Sequence, residues 1–209
     1  MKKNLFRVKL VQTMIVGIIL LFPTFARSQN ELPTADELRG KPNEAEQQRL
    51  DKKQSRQAAL RQGIQLYKTG NYAASETIFR QLVEAQPEEA KYHFYFGNAL
   101  FYQRKIEEAT QAYQEAIRLN PKYALAYNAL GFLQATQGQW DEAIAQYQKA
   151  LEINADYAEA LKNLGEAFWK KGNIAEAKNA WNKALSLYTQ QGNNKAAQQI
   201  QQVLNLTAQ

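Results

Sequence analysis

The sequence predicts an all-α fold, a right-handed solenoid of helix-turn-helix units closed by a C-terminal capping helix. Three observations carry that prediction. Gly63, Gly97, Gly131 and Gly165 recur at intervals of 34 residues. Twelve places after each stands a small residue (Ser75, Ala109, Ala143, Ala177), and sixteen places after each an aromatic one (Phe79, Tyr113, Tyr147, Trp181). Within three of the four units a glycine with a polar successor, Gly70 and Asn71, Gly138 and Gln139, Gly172 and Asn173, stands where a first helix needs a left-handed cap. Self-similarity at such a fixed period marks stacked helix pairs that cannot bury their apolar faces alone.

Taken in order, the 209-residue chain opens with Lys2, Lys3, Arg7 and Lys9, followed by an uncharged apolar run from Leu10 to Phe22 and by Pro23, Thr24, Phe25 and Ala26. A basic start, an apolar stretch short for a membrane span and small residues at a cleavage site predict a secretory signal peptide over 1–26. Cleavage after Ala26 fits first and after Ser28 second; the alternative is an uncleaved membrane anchor over residues 5–22. The expectation is therefore an exported, periplasmic or otherwise extracytoplasmic protein, with anchoring as the other reading. Removing the four leader cations from 26 basic residues leaves 22 against 20 acids, so the formal charge of +6 falls to +2. That small surplus argues against a nucleic-acid partner, which needs a basic patch on the folded domain. The chain has no cysteine, which excludes lipid attachment of the bacterial lipoprotein type.

Residues 27–55 begin as a polar linker with Pro33, Gly40 and Pro42. From Asn43 they become helix formers, with Asn43 and Glu46 as a helix-start pair, and run on as a polar helical overhang of the first repeat. The four units are 56–89, 90–123, 124–157 and 158–191. Glycine inside a helix costs about 1 kcal/mol against alanine, so four at one helical place point to close approach of a second helix. The small column, continued by Ala116, Ala150 and Ala184 and broken by Leu82, is expected to admit that helix. Three places after the glycines stand Leu66, Leu100, Gln134 and Phe168. Arg104 occupies the cap-glycine place of the second unit, which is expected to cap less favourably. Second helices open with acids, Glu107 and Glu108, Asp141 and Glu142, or Glu176, where the helix dipole favours them. Pro87 and Pro121 end the first two units, whereas Ala155 and Thr189 hold those places later, where packing must set the junction. After Gly192 and Asn193, a stripe of Ala196, Ala197, Ile200, Val203 and Leu204 on a glutamine-rich helix over 192–209 predicts the cap.

Residues 56–191 resemble four tetratricopeptide repeats, the third most closely, through Tyr127, Leu130, Gly131, Gly138, Trp140, Ala143, Tyr147 and Ala150. The resemblance implies a curved solenoid that binds other proteins without doing chemistry itself. It also implies that places two, five, nine, twelve and thirteen of each first helix line the concave face. There it puts an aromatic set, Tyr67, Phe94, Phe101, Tyr102, Phe132 and Trp169, together with Asn98 and Asn128 as partners for a peptide backbone. The alternative is that the overhang, the cap or a neighbouring repeat buries some of these rings. The family's clamp for a chaperone's terminal carboxylate is not matched. Starting from the second repeat its places hold Phe94, Asn98, Ala129, Glu159 and Asn163, and only Asn98 fits.

Catalysis needs a nucleophile with a base, a carboxylate pair in a cleft or a metal cluster. With one histidine, His93, expected to be a satisfied packing residue, and with acids placed singly or at helix starts on solvated faces, the chain is read as a non-enzyme without cofactor or metal. The expected function is an exported adaptor or assembly factor holding a protein or peptide partner, extended or helical, in the groove. A membrane-anchored, self-associating scaffold and a substrate-recruiting subunit of an enzyme complex are the alternatives.

Overall fold

The structure, a computed structural model, describes residues 43–207. The expected signal peptide or anchor, the linker up to residue 42 and the last two residues lie outside that range. Among the described residues there are nine helices and no strand: α1 (Glu44–Lys68), α2 (Tyr72–Ala85), α3 (Ala90–Phe101), α4 (Ile106–Leu119), α5 (Ala124–Thr136), α6 (Trp140–Ile153), α7 (Ala158–Lys170), α8 (Ile174–Gln190) and α9 (Asn194–Leu206). None of them is long and apolar enough to cross a membrane. The class is the expected helical solenoid.

The helix α1 starts where Asn43 predicts, its Oδ1 accepting the Glu46 amide at 2.8 Å. Every residue from Asn43 to Ser55 is exposed. From Lys53 onward the chain forms one compact unit. Within it each first helix packs on its own second helix through the glycine column, and here the structure refines the expectation. What comes closest to each glycine is a ring of the second helix, and at Gly131 the Ala143 carbonyl follows at 3.1 Å. A Cβ at Gly63 would lie 2.8 Å from Phe79 Cζ, at Gly97 2.7 Å from Tyr113 Cε1, at Gly131 2.8 Å from Tyr147 Cε1 and at Gly165 2.5 Å from the Trp181 indole. The small column shares the same contact from below: Ser75, Ala109, Ala143 and Ala177 have no exposed surface, and Ser75 Oγ donates to the Gly63 carbonyl at 2.9 Å.

Five helices end in the same double hydrogen bond, in which two successive amides return to the last turn. In the second pair these run from Arg104 N to the Phe101 carbonyl and from Lys105 N to that of Leu100. Arg104 thereby takes φ +64°, the left-handed region occupied by Gly70, Gly138, Gly172 and Gly192 at the other ends. The pairing is kept and the side chain carries the strain.

Proline proves dispensable at the repeat junctions. Helices α4 and α6 stop at Asn120 and Asn154, whose Oδ1 atoms accept the amides of Lys122 and Asp156. The corresponding residue of the last pair is Tyr188, which is buried, and α8 runs on to Gln190.

Two residues depart from their expected setting. Glu76 is not on a solvated face. It is 7% exposed, pairs with Arg80 and with Lys105 at 2.7 Å, and accepts from Gln103 Nε2 at 2.7 Å. Although burial opposes the charge, the bonds from Lys105, Arg80 and Gln103 hold its carboxyl below the usual carboxylate range. Gln134, in a column otherwise apolar, has a buried Oε1 without a partner among the described residues. At the C-terminal end α9 lays Ile200, Val203 and Leu204 against Trp181, Leu185 and Tyr188 of α8.

Candidate functional site

The first helices α1, α3, α5 and α7 together line a groove of about 310 Å³, bounded by Tyr67, Phe94, Asn98, Phe101, Tyr102, Asn128 and Phe132. Seven of the eight residues expected on the concave face are thus brought to one place. The eighth, Trp169, is 44% exposed and lies instead in a separate slot with Trp181, Ile200, Val203 and Leu206, beside the cap helix.

The groove has an aromatic rim. Tyr67 meets Tyr102 edge-on at 5.5 Å between centroids, and Tyr72 stacks on Tyr102 at 4.8 Å. Phe101 and Phe132 meet edge-on at 5.7 Å, joining α3 to α5. These are preferred arrangements for rings whose faces are negative and edges positive. Tyr102 and Phe132 keep 49% and 43% of their surface exposed, an uncommon cost for large rings unless a partner covers them. Phe94 lines the groove but lies deep: it is 8% exposed and packs on Tyr95, Tyr113 and Tyr123, so it is groove floor and core rather than exposed rim.

Beneath the rim the polar atoms are mostly engaged. The Tyr113 hydroxyl donates to Asn98 Oδ1 at 2.8 Å, and Asn163 Nδ2 donates to Asn128 Oδ1 at 3.1 Å. The two amides expected to pair with a partner's backbone therefore already hold internal bonds, and Asn128 is 9% exposed. Burial raises the pKa of Tyr67, Tyr113 and Tyr157; that of Tyr157 is pushed up to about 12, with the Glu159 charge adding and Asn128 opposing. At neutral pH these phenols stay protonated, as hydrogen-bonding groups and not as bases. Tyr113, Tyr157 and Asn163 were not expected as a lining set. Tyr157 had a faint signal, since Tyr123 stands 34 residues before it at the same junction.

His93 lies outside the groove, its Nε2 donating to the Pro87 carbonyl at 2.7 Å, where it ties the α2–α3 junction. Among the described residues no group of three or more histidines and acids is placed to hold a metal ion.

Known proteins agree with this architecture. Family profiles described as TPR repeat match residues 97–138 and 135–172, and profiles described as Tetratricopeptide repeat match 57–88 and 158–191. In sequence the chain is similar to the TPR repeat-containing thioredoxin TTL4 of Arabidopsis thaliana, at 31% identity over 77 residues, and to the Protein O-mannosyl-transferase TMTC1 of Homo sapiens, at 37% over 62 residues. It spans only 11% and 7% of those proteins. In structure it is similar to MamA, with TM-score 0.59 and 28% identity over 66% of this chain and 81% of that one. It is also similar in fold to the TPR2B domain of yeast Sti1 in a complex with pHsp70, with TM-score 0.55 and 23% identity over 57% of this chain and 96% of that one.

Proposed function

The chain belongs to the tetratricopeptide repeat family, and from that premise we propose that it is a non-catalytic interaction module which holds a peptide segment of a partner protein in its concave groove. The observation that carries this reading is the exposed rim formed by Tyr102 and Phe132 over a pre-organised, internally bonded floor. Such a surface loses little flexibility on binding and gains apolar burial. The module acts as an adaptor or assembly factor outside the cytoplasm, a location supported by the basic and apolar pattern of residues 1–26.

Capture from the extracytoplasmic fraction of the source cells tests the groove. The full chain should retain a partner that the variant Phe101→Ala/Tyr102→Ala/Phe132→Ala loses, while that variant keeps its helical circular dichroism. Equal capture by both places the partner on another face. Sequencing the N-terminus of the natural protein tests export: a start near Arg27 or Gln29 is expected, and Met1 in a membrane pellet would replace export with anchoring.

A further inference from the structure

Resting on the reading of the groove as a peptide site, we infer that its occupant is a segment carrying a lysine or arginine flanked by apolar residues, the cation lying between the Tyr102, Phe101 and Phe132 rings and the Glu159 carboxylate.

Among the residues that line the groove, Glu159 alone carries a formal charge. Of the cations on the neighbouring first helices, Lys91 and Lys170 are engaged away from the groove. Lys91 sits 3.5 Å from Glu89 and over the Tyr92 ring, and Lys170 lies over Trp169 at 4.9 Å. Lys162 lines the separate slot beside the cap and touches Glu159 only at 3.5 Å, in a pair whose two side chains are 36% and 56% exposed. A long, exposed pair of this kind is worth little, so an incoming cation can replace it. The rim adds the same sign, because aromatic faces attract cations. The reach of the carboxylate shows in the tyrosines around it, since its charge disfavours ionisation of Tyr157, Tyr147, Tyr188 and, on the first helix, Tyr67. An acidic segment finds no cation in the lining and is repelled by Glu159. A wholly apolar segment covers that carboxylate and leaves it only the long pair with Lys162. A basic residue between apolar neighbours satisfies both the charge and the rings.

The test selects peptides from a random displayed library on the full chain and measures the strongest binder by fluorescence anisotropy. The expected binder carries lysine or arginine between apolar residues. Replacing that cation by norleucine should weaken binding about tenfold, and raised salt should weaken the parent peptide more than the norleucine one. Glu159→Gln should weaken the parent by a similar factor and leave the norleucine peptide unchanged. Binders that Phe101→Ala/Tyr102→Ala/Phe132→Ala abolishes, but which carry no cation or ignore Glu159→Gln, overturn this inference and leave the groove reading standing. Binders indifferent to the aromatic variant, or a library that yields none, overturn both.

Discussion

Single residues in this array are judged by the backbone they impose. Arg104 holds φ +64° where the other four caps hold glycine, and a left-handed residue with a Cβ costs about 1 to 2 kcal/mol. Arg104→Gly should therefore raise the unfolding free energy by about 1 kcal/mol in a denaturant titration, with an unchanged denaturant slope. The interior glycines behave oppositely. A Cβ at Gly131 would lie 2.8 Å from the Tyr147 ring, and that residue has 1% of its surface exposed and nowhere to go. Gly131→Leu should lower stability by about 1 to 3 kcal/mol or more, read as a drop in melting temperature. A Gly131→Leu variant as stable as the parent would remove the ring-on-glycine account.

Elements are joined by one polar knot and many rings. Glu76 on α2 holds Lys105 and Gln103 of the α3–α4 turn, the same turn strained at Arg104, so it fastens the first helix pair to the second. Because the folded carboxyl is held below its usual range, its stabilisation is present above that range. It is lost as pH falls through the lowered value. Glu76→Gln should cost about 1.5 to 3 kcal/mol at neutral pH, the scale of hydrogen bonds to a buried charge. The gap between parent and variant should close on acidification below the ordinary carboxylate range, a change that thermal melts across pH follow directly. A gap independent of pH would make the contribution one of shape alone.

For the whole molecule, stability is a chain of neighbour contacts, and its ends are the weak places. The cap contributes through Ile200, 3% exposed against Trp181 and Tyr188. Ile200→Ala should cost about 2 to 5 kcal/mol. Amide exchange should then rise first in α8 and α9, before α3 and α4, as expected when units open in sequence from an end. Phe94→Ala should act on the whole array differently from the rim variants: a buried ring lost from the second pair costs about 3 to 5 kcal/mol, visible as a lower melting temperature.

Periodicity by itself determined the helices, their pairing and the side that Tyr67, Phe101, Tyr102 and Phe132 share. A helix repeats its faces every 3.6 residues and a stack repeats its contacts every unit, so position in the sequence is position on the surface. It also located the cap, the strained Arg104 turn and the packing role of His93. Only the tertiary structure decided how deep each residue sits. Phe94 and Phe132 occupy neighbouring concave places in the pattern, yet Tyr95, Tyr113 and Tyr123 close over the first and leave the second open. Trp169 shares the pattern of the rim but is parted from it, in the slot it forms with the cap helix. The partners of Asn98 and Asn128 come from other helices and those that tie Glu76 to the second pair from the α3–α4 turn, 15 to 35 residues away in the chain, a choice that side-chain reach and local packing make and that a linear repeat does not encode.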